Sequence, residues 1–310
     1  MLNFKSKSNR LNADGSLLNV GCGRRYHDDW VNIDLETTDP KVIRHDVNKG
    51  LPFEQGRFSA VYHSHILEHL EPSEGRELIR ECYRVLKPGG ILRIAVPDLE
   101  CIARLYLETH QEAWIGDENS QINYNWMKLE LLDQLVRRRS GGQMGRYMSS
   151  RKIKNSKFVK SRLGDEFSIC RSHGSTEALA SLSLLKRLGR MSLGLRRRFS
   201  RAVIGLLLGS DASAAFDEGL FRSEGEIHRW MYDRFSLREL TESVGFVNFN
   251  ICEATESQIA DYASFELDTV GSLVRKPDSI FIECEKPLVT SASYAQSEKS
   301  QSRPSQFAAA

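Results

Sequence analysis

The residues best placed to do chemistry begin in Leu17-Leu18-Asn19-Val20-Gly21-Cys22-Gly23, an apolar run that empties into a glycine turn. Glycine lets the backbone turn sharply and lie against a ligand with no Cβ in the way. Two acids follow at the ends of later apolar runs. Asp34 closes Val31-Asn32-Ile33-Asp34, and Asp46, with Val47 beside it, closes Val42-Ile43-Arg44-His45-Asp46. A carboxylate at the first position can accept both hydroxyls of a ribose, as in other doubly wound folds. One at the second can accept from an adenine amino group. The position where a dinucleotide site has its third glycine holds Tyr26, so a diphosphate ligand is disfavoured. Each acid taken alone is equally at home as a loop or cap carboxylate; their shared order with the turn favours the ligand reading.

Farther along, His63-Ser64-His65 ends one apolar run and Pro97-Asp98 ends another. Ligands of open α/β sheets sit beyond the carboxyl ends of the strands, which makes His65 and Asp98 candidate general bases and His63 and Ser64 candidate cofactor contacts. A competing reading has these residues only cap the following turn. His228-Arg229-Trp230-Met231-Tyr232 adds a third candidate base, His228, within a segment able to line an acceptor pocket; packing back onto the sheet is the alternative. His65-x-x-Glu68-His69 also spells the H-x-x-E-H of inverted zinc peptidases. That chemistry needs a long helix and a third ligand, whereas this motif follows a β-run directly. We expect no metal in the reaction.

The elements that must position these groups are short. Strands are expected at Leu17–Val20, Val31–Leu35, Val42–Asp46, Ser59–His63 and Ile91–Val96, and later at Val247–Cys252 and Ser279–Glu285. Between the fourth and fifth lies a helical pattern opened by Pro72-Ser73, with Leu78, Ile79, Cys82, Val85 and Leu86 on one face, and closed by Lys87-Pro88-Gly89-Gly90. Ser236–Val244 reads as a helix with Ser236 as N-cap and Gly245 at its stop. Strand, helix and strand in this order predict a Rossmann-like, doubly wound, mostly parallel seven-stranded sheet, with a helical basic insertion between strands five and six. The expected organisation is a flexible N-terminus (1–15), a cofactor-binding half (16–98), the helical insertion or cap (99–225), the C-terminal part of the same domain (226–286) and a disordered tail (287–310).

These motifs together resemble the class I S-adenosylmethionine-dependent methyltransferases of the "type 11" kind. The glycine loop is Gly21-Cys22-Gly23, the ribose acid Asp34 and the adenine-side acid Asp46. Leu51-Pro52-Phe53 with Phe58-Ser59-Ala60-Val61-Tyr62 resembles the approach to strand four, His65-Ile66-Leu67-Glu68-His69 the turn after it, and Arg84-Val85-Leu86-Lys87-Pro88-Gly89-Gly90-Ile91-Leu92 the entry to strand five. Looser likeness at Ile227–Asp233 and Arg275–Ser279 is shared with a bacterial subgroup often linked to surface-polysaccharide synthesis. The resemblance implies S-adenosylmethionine as cofactor. One departure stands out: only thirteen positions separate Gly21 from Asp34, so the first crossover helix is cut to a turn at Arg24–Trp30. Arg24 or Arg25 is the candidate partner for the methionine carboxylate.

The bulk properties agree with a soluble α/β enzyme. The chain has 310 residues, 40% apolar and 27% charged. No run nears the roughly 18 apolar residues of a membrane span, and the start has no signal-peptide core, so a cytoplasmic location is expected. The six scattered cysteines form no C-x-x-C pair and read as reduced. The net charge of +2 hides an asymmetry: residues 136–202 hold 18 Lys/Arg against three Asp/Glu, which leaves the remainder acidic. Within that stretch Leu184, Leu188, Met191, Leu195, Phe199 and Ala202 form an apolar helical stripe flanked by arginines. A cap over the sheet, an anionic membrane surface contacted through 184–203, and nucleic acid are the three readings, in that order of preference.

The functional expectation is methyl transfer to an oxygen of a small-molecule, glycan or lipid-linked acceptor by direct displacement. Nucleic-acid methylation is a rival, but the fourth strand ends in His63-Ser64-His65-Ile66 rather than an Asn/Asp-Pro-Pro-aromatic loop, and there is no Pro-Cys nucleophile there. A non-catalytic cofactor-binding scaffold is the other rival.

Overall fold

In the computed structural model the described residues are 16–172, 197–223 and 225–288. The expected flexible start (1–15), nearly all of the expected tail (289–310) and the first part of the basic stripe, including Leu184, Leu188, Met191 and Leu195, lie outside them.

Seven strands form one sheet: β1 (Leu17–Val20), β2 (Val31–Asp34), β3 (Val42–Arg44), β4 (Phe58–Ser64), β5 (Leu86–Pro97), β6 (Val247–Cys252) and β9 (Ser279–Glu285). Their order is β3-β2-β1-β4-β5-β9-β6. All pairings from β3 to β5 are parallel; β9 runs antiparallel to both its neighbours. The strand order therefore reverses between β1 and β4, where a doubly wound sheet opens a crevice at the strand ends. A separate ribbon of β7 (Thr269–Val270) and β8 (Leu273–Val274) has no counterpart in the sequence reading; two-residue strands carry no periodicity to detect.

One face of the sheet is covered by α1 (Pro72–Val85) and α9 (Arg234–Val244). α1 starts on Pro72 at its first turn, with the Glu74 carboxylate accepting the Glu71 N–H at 2.9 Å. It buries Leu78, Ile79, Cys82 and Val85 against Val20, Val61 and Leu92. The N-cap of α9 is Asp233, not Ser236: Asp233 accepts the Ser236 N–H at 2.8 Å, and the Ser236 hydroxyl accepts the Asp233 N–H at 3.0 Å in return. The helix thus starts earlier than the sequence suggests, because an aspartate upstream can make the same cap.

Lys87-Pro88-Gly89-Gly90, read as a turn, belongs instead to β5. The register against β4 shifts between Phe58 and Ala60, as a bulge requires. Gly89 N–H donates to Lys286 O at 2.7 Å, and Lys286 N–H to Gly90 O at 2.9 Å, so the segment pairs with the end of β9.

Gly21 to Trp30 joins β1 to β2 without a helix. Two buried asparagines explain how so short a crossover holds. Asn19 on β1 donates to Arg25 O (3.1 Å) and to Asn32 Oδ1 (3.2 Å), and Asn32 on β2 donates to His27 O (2.9 Å) and Trp30 O (2.7 Å). Loop carbonyls that a helix would satisfy internally are satisfied here from the sheet.

The opposite face carries a polar core. Arg93 on β5, fully buried, donates to Asp268 (2.9 Å), Glu283 (2.9 Å) and the Glu256 carbonyl (2.8 Å). Asp268 also accepts from Tyr62 (2.5 Å) and Tyr262 (2.7 Å). This network anchors the irregular segment 253–268 where a helix would otherwise lie. Between β5 and α9 the described chain is helical: α2 (Leu99–Trp114), α3 (Glu118–Val136), α4 (Gly142–Met148), α5 (Ser156–Leu163), α6 (Asp165–Ser172), α7 (described over 197–208) and α8 (Ser210–Ser223). α2 to α6 share a core of their own around Trp126, Met127, Val159 and Phe167.

Candidate active site

A cavity of about 420 Å³ opens at the carboxyl ends of β1 and β4, lined by Asn19, Gly21, Cys22, Gly23, Arg24, Arg25, Tyr62, Ser64, His65, Asp165, Glu166, Ile169, Arg275 and Lys276. Its size falls within the ~300–1,000 Å³ of small-molecule sites. Gly21 sits at φ 61°, and a Cβ there would lie 2.0 Å from Ile66 Cδ1. The glycine lets β1 turn under the chain that leaves β4. A Cβ on Gly23 would meet nothing within 4 Å, so this residue faces open space.

Asp34 is tied to the turn. Its Oδ2 accepts the Gly23 N–H at 2.8 Å and its Oδ1 accepts the Glu36 N–H at 2.9 Å. Each carboxylate oxygen keeps a further lone pair. Cys22 is buried beneath it, and burial, with the Asp34 charge second, pushes its thiol up to about 12. Asp46 caps the 3₁₀ turn Val47–Lys49 by accepting the Asn48 N–H at 3.1 Å. Asp34, Asp46 and Val47 do not line the cavity itself.

His63 does not reach the cavity. It alternates with Tyr62 and Ser64 on β4, so its ring enters the core on the helix-covered side, fully buried. Neither ring nitrogen has a hydrogen-bond partner, and burial lowers its pKa to about 4. The placement of His63 as a cofactor contact is therefore corrected: the period of two along a strand sends adjacent side chains to opposite faces. Ser64, one residue on, faces the cavity, with Arg275 Nη2 at 3.4 Å from its hydroxyl.

His65 leaves the strand in a left-handed conformation (φ 56°), which a non-glycine residue adopts only when its surroundings hold it there. Its Nε2 lies 2.8 Å from Ser279 Oγ, and its Nδ1 lies 2.9 Å from Glu68 Oε1. Glu68 is fully buried. Burial opposes its charge, but His65, His69 and His228 around it hold its carboxyl far below the usual range. A carboxylate, an imidazole and a hydroxyl thus stand in line at the end of β4.

The other two candidate bases are elsewhere. Asp98 caps α2 by accepting the Cys101 N–H at 3.1 Å and lines a separate cavity of about 370 Å³ with Glu100, Arg104 and Arg234. Burial raises its pKa, yet it does not line the glycine-turn cavity. His228 is buried against His69, ring centroids 4.9 Å apart, and burial lowers its pKa to about 3. Of the three candidate bases, only His65 lines the cavity beside the glycine turn.

Sequence reasoning did not find Asp165, Glu166, Arg275 and Lys276. Lys276 pairs with Glu166 at 2.7 Å, and Asp165 N–H donates to Arg275 O at 3.1 Å, so α6 is fastened to the chain before β9 across the cavity mouth. Arg275-Lys276 was visible as a motif; nothing in the sequence marked Asp165-Glu166 as its partner. Ser279 was visible as a strand start and as the end of the Arg275–Ser279 motif, with nothing to pair it with His65.

Comparison with known proteins places residues 22–94 in a match to a methyltransferase-domain family model. No curated protein matches. Among solved structures, a Pyrococcus horikoshii protein is 23% identical over 29% of this chain and 52% of its own, with a TM-score of 0.24. The chain thus spans about half the length of that relative. A Thermotoga maritima S-adenosylmethionine-dependent methyltransferase, described as a possible histamine N-methyltransferase, is 10% identical over 88% of this chain and 82% of its own, with a TM-score of 0.36. A Burkholderia thailandensis 1,6-didemethyltoxoflavin N1-methyltransferase, solved with S-adenosylhomocysteine, is 19% identical over 26% and 44%, with a TM-score of 0.23. These likenesses are loose; the family match covers Cys22 and Gly23 of the glycine turn, both acids and the end of β4.

Proposed function

We propose that this chain, whose residues 22–94 match a methyltransferase-domain family model, is a class I S-adenosylmethionine-dependent methyltransferase that transfers the methyl group to an oxygen of a small-molecule, glycan or lipid-linked acceptor, with His65 as the base. The observation that carries this reading is the alignment of Glu68, His65 and Ser279 beside the glycine-turn cavity.

S-adenosylmethionine, when bound, supplies a methyl group already activated on a sulfonium. The residues present fit it. Gly23 leaves room for a ligand, Asp34 keeps lone pairs for the ribose hydroxyls, and Asp46 and Val47 stand one strand over for the adenine. Arg24 and Arg25 line the cavity, and either would pair with the cofactor's carboxylate. The protein's remaining work is to align the acceptor and take its proton. Glu68 fixes the orientation of His65 by accepting from its Nδ1, which leaves Nε2 to take the proton of an acceptor hydroxyl that replaces Ser279. α6, held by Lys276 and Arg275, forms one wall of the cavity mouth.

Transfer of tritiated methyl to hydroxyl-bearing acceptors tests this. An ether product keeps its label in mild alkali, whereas a methyl ester releases it as methanol. Label recovered on nitrogen, or cofactor binding with no transfer to any acceptor, overturns the O-methyltransferase reading.

We further propose that α7 contacts an anionic membrane surface from the cytoplasmic side. Phe199, Leu206, Leu207 and Leu208 are exposed there beside Arg198. No helix among the described residues is long and apolar enough to cross a membrane. Salt-sensitive sedimentation with phosphatidylserine vesicles is expected; absence of binding at low salt removes this partner.

A further inference from the structure

Behind the active-site cavity lies a cluster of which the proposed methyl transfer uses only Glu68, to orient His65. Glu68, His69 and His228 each offer one ligand atom, and these atoms lie within 4.8 Å of one another. Glu68 and His69 come from the turn after β4. His228 comes from a segment about 160 residues later, which is bound to that turn by Arg229 N–H donating to Glu68 O at 2.7 Å.

Seven buried side-chain nitrogen or oxygen atoms among the described residues lack a hydrogen-bond partner, and five belong to His63, Glu68 and His228. Buried polar groups are normally satisfied, so such a concentration asks for a missing partner. A carboxylate buried to this degree is costly unless it is paired or bound to a metal. His65 Nδ1 stands 2.9 Å from Glu68 Oε1, and Glu68 Oε2 has no hydrogen-bond partner.

We propose that Glu68, His69 and His228 bind a divalent transition-metal ion of the zinc type. Two imidazoles and a carboxylate suit zinc and its borderline neighbours. His69 Nδ1 lies 3.0 Å from Ile227 O, so it carries the proton and leaves Nε2 as the ligand atom. Metal-bound histidines ordinarily donate their other nitrogen in this way. Tetrahedral ligands about 2.1 Å from zinc stand about 3.4 Å apart, so closing the set from 4.8 Å takes side-chain shifts of up to about 1.4 Å. His228 lines a cavity of about 540 Å³ with Glu71 and Arg229, which gives an ion an entry path.

This differs from the zinc-peptidase pattern, whose two histidines would be His65 and His69. Both nitrogens of His65 already face Glu68 and Ser279. The metal's role is to lock the turn after β4 to segment 227–229, and through Glu68 to hold His65. The site stands whether or not the acceptor atom is oxygen.

The test is metal content and thermal stability of the full chain. Mass spectrometry is expected to find about one ion per purified chain, with at least a tenfold loss in Glu68→Gln and in His228→Gln. The exposed His110→Gln is expected to keep the ion. Because a variant can fail to fold, wild-type protein stripped with a chelator is titrated with Zn²⁺ alone. A rise in Tm that saturates near one equivalent supports the site. No saturable rise, or an ion retained in both folded cluster variants, overturns it.

Discussion

The backbone N–H of Gly23 donates to Oδ2 of Asp34 at 2.8 Å, which ties the glycine turn after β1 to the acid that ends β2. One carboxylate therefore shapes the turn and, under the proposed function, would also accept from the cofactor's ribose. Asp34→Asn keeps an acceptor for the Gly23 N–H, whereas Asp34→Ala removes it. Hydrogen bonds to a charged group contribute roughly 1.5–3 kcal/mol each. Calorimetric titration with S-adenosylhomocysteine is expected to show at least a tenfold weaker Kd for Asp34→Ala and a smaller loss for Asp34→Asn. Unchanged affinity in Asp34→Ala removes the ribose role.

His65 separates turnover from binding. A general base contributes about 10²–10⁴-fold to rate. His65→Ala is expected to lower kcat by that order on any acceptor that turns over, while the cofactor Kd changes less than about threefold. An equal loss in both would make His65 a cavity wall and nothing more.

Cys22 is a pH probe of the turn. Its thiol is raised to about 12, so at pH 8 only about one molecule in 10⁴ carries the reactive thiolate. Because the shift is upward, reactivity grows with pH and stays low through the neutral range. Iodoacetamide at pH 8 is expected to label the partly exposed Cys101 and to leave Cys22 unmodified by peptide mapping. Rapid Cys22 labelling in the folded protein would contradict its burial under Asp34.

The Arg93 network reports on stability. Removing one partner of a buried ionic group typically costs about 3–5 kcal/mol, because the others are left uncompensated. Arg93→Met strands Asp268 and Glu283 together. Its Tm is expected to fall by about 10 °C, at roughly 2–4 °C per kcal/mol for a chain of this size. A Tm within 2 °C of wild type would show that the network contributes little.

Gly164 controls the cavity mouth. It joins α5 to α6 at φ 55°, and a Cβ there would lie 2.4 Å from Arg275 O and 2.7 Å from Pro277 Cδ. Both neighbours are main chain or ring, which cannot swing aside. Gly164→Ala is expected to cost about 1–3 kcal/mol, to push α6 off Arg275 and to speed proteolytic cleavage within α6. Wild-type cleavage rates in this variant would show that α6 is not fastened there.

Much of the sheet was legible from the chain alone. Leu17–Val20, Val247–Cys252 and Ser279–Glu285 are short apolar or alternating runs with clear stops, and each forms a strand with those bounds. The order Gly21, Asp34, Asp46 also stood out, because a turn and two strand-end acids are local features. The Pro88-Gly89-Gly90 stretch misled, since whether such residues make a turn or continue a strand depends on a partner segment more than 180 residues away.

The sequence by itself determined the residue types at the strand ends and the shortness of the first crossover, since both are properties of neighbours in the chain. Only the tertiary structure decided which of those residues meet. It turned His63 into the core and His65 to the cavity, set Asp98 in a separate cavity, and brought His228 to Glu68 across some 160 residues. Side-chain direction follows from the pleat, and distant contacts follow from the sheet order and the return of the chain after the insertion. No local pattern encodes either.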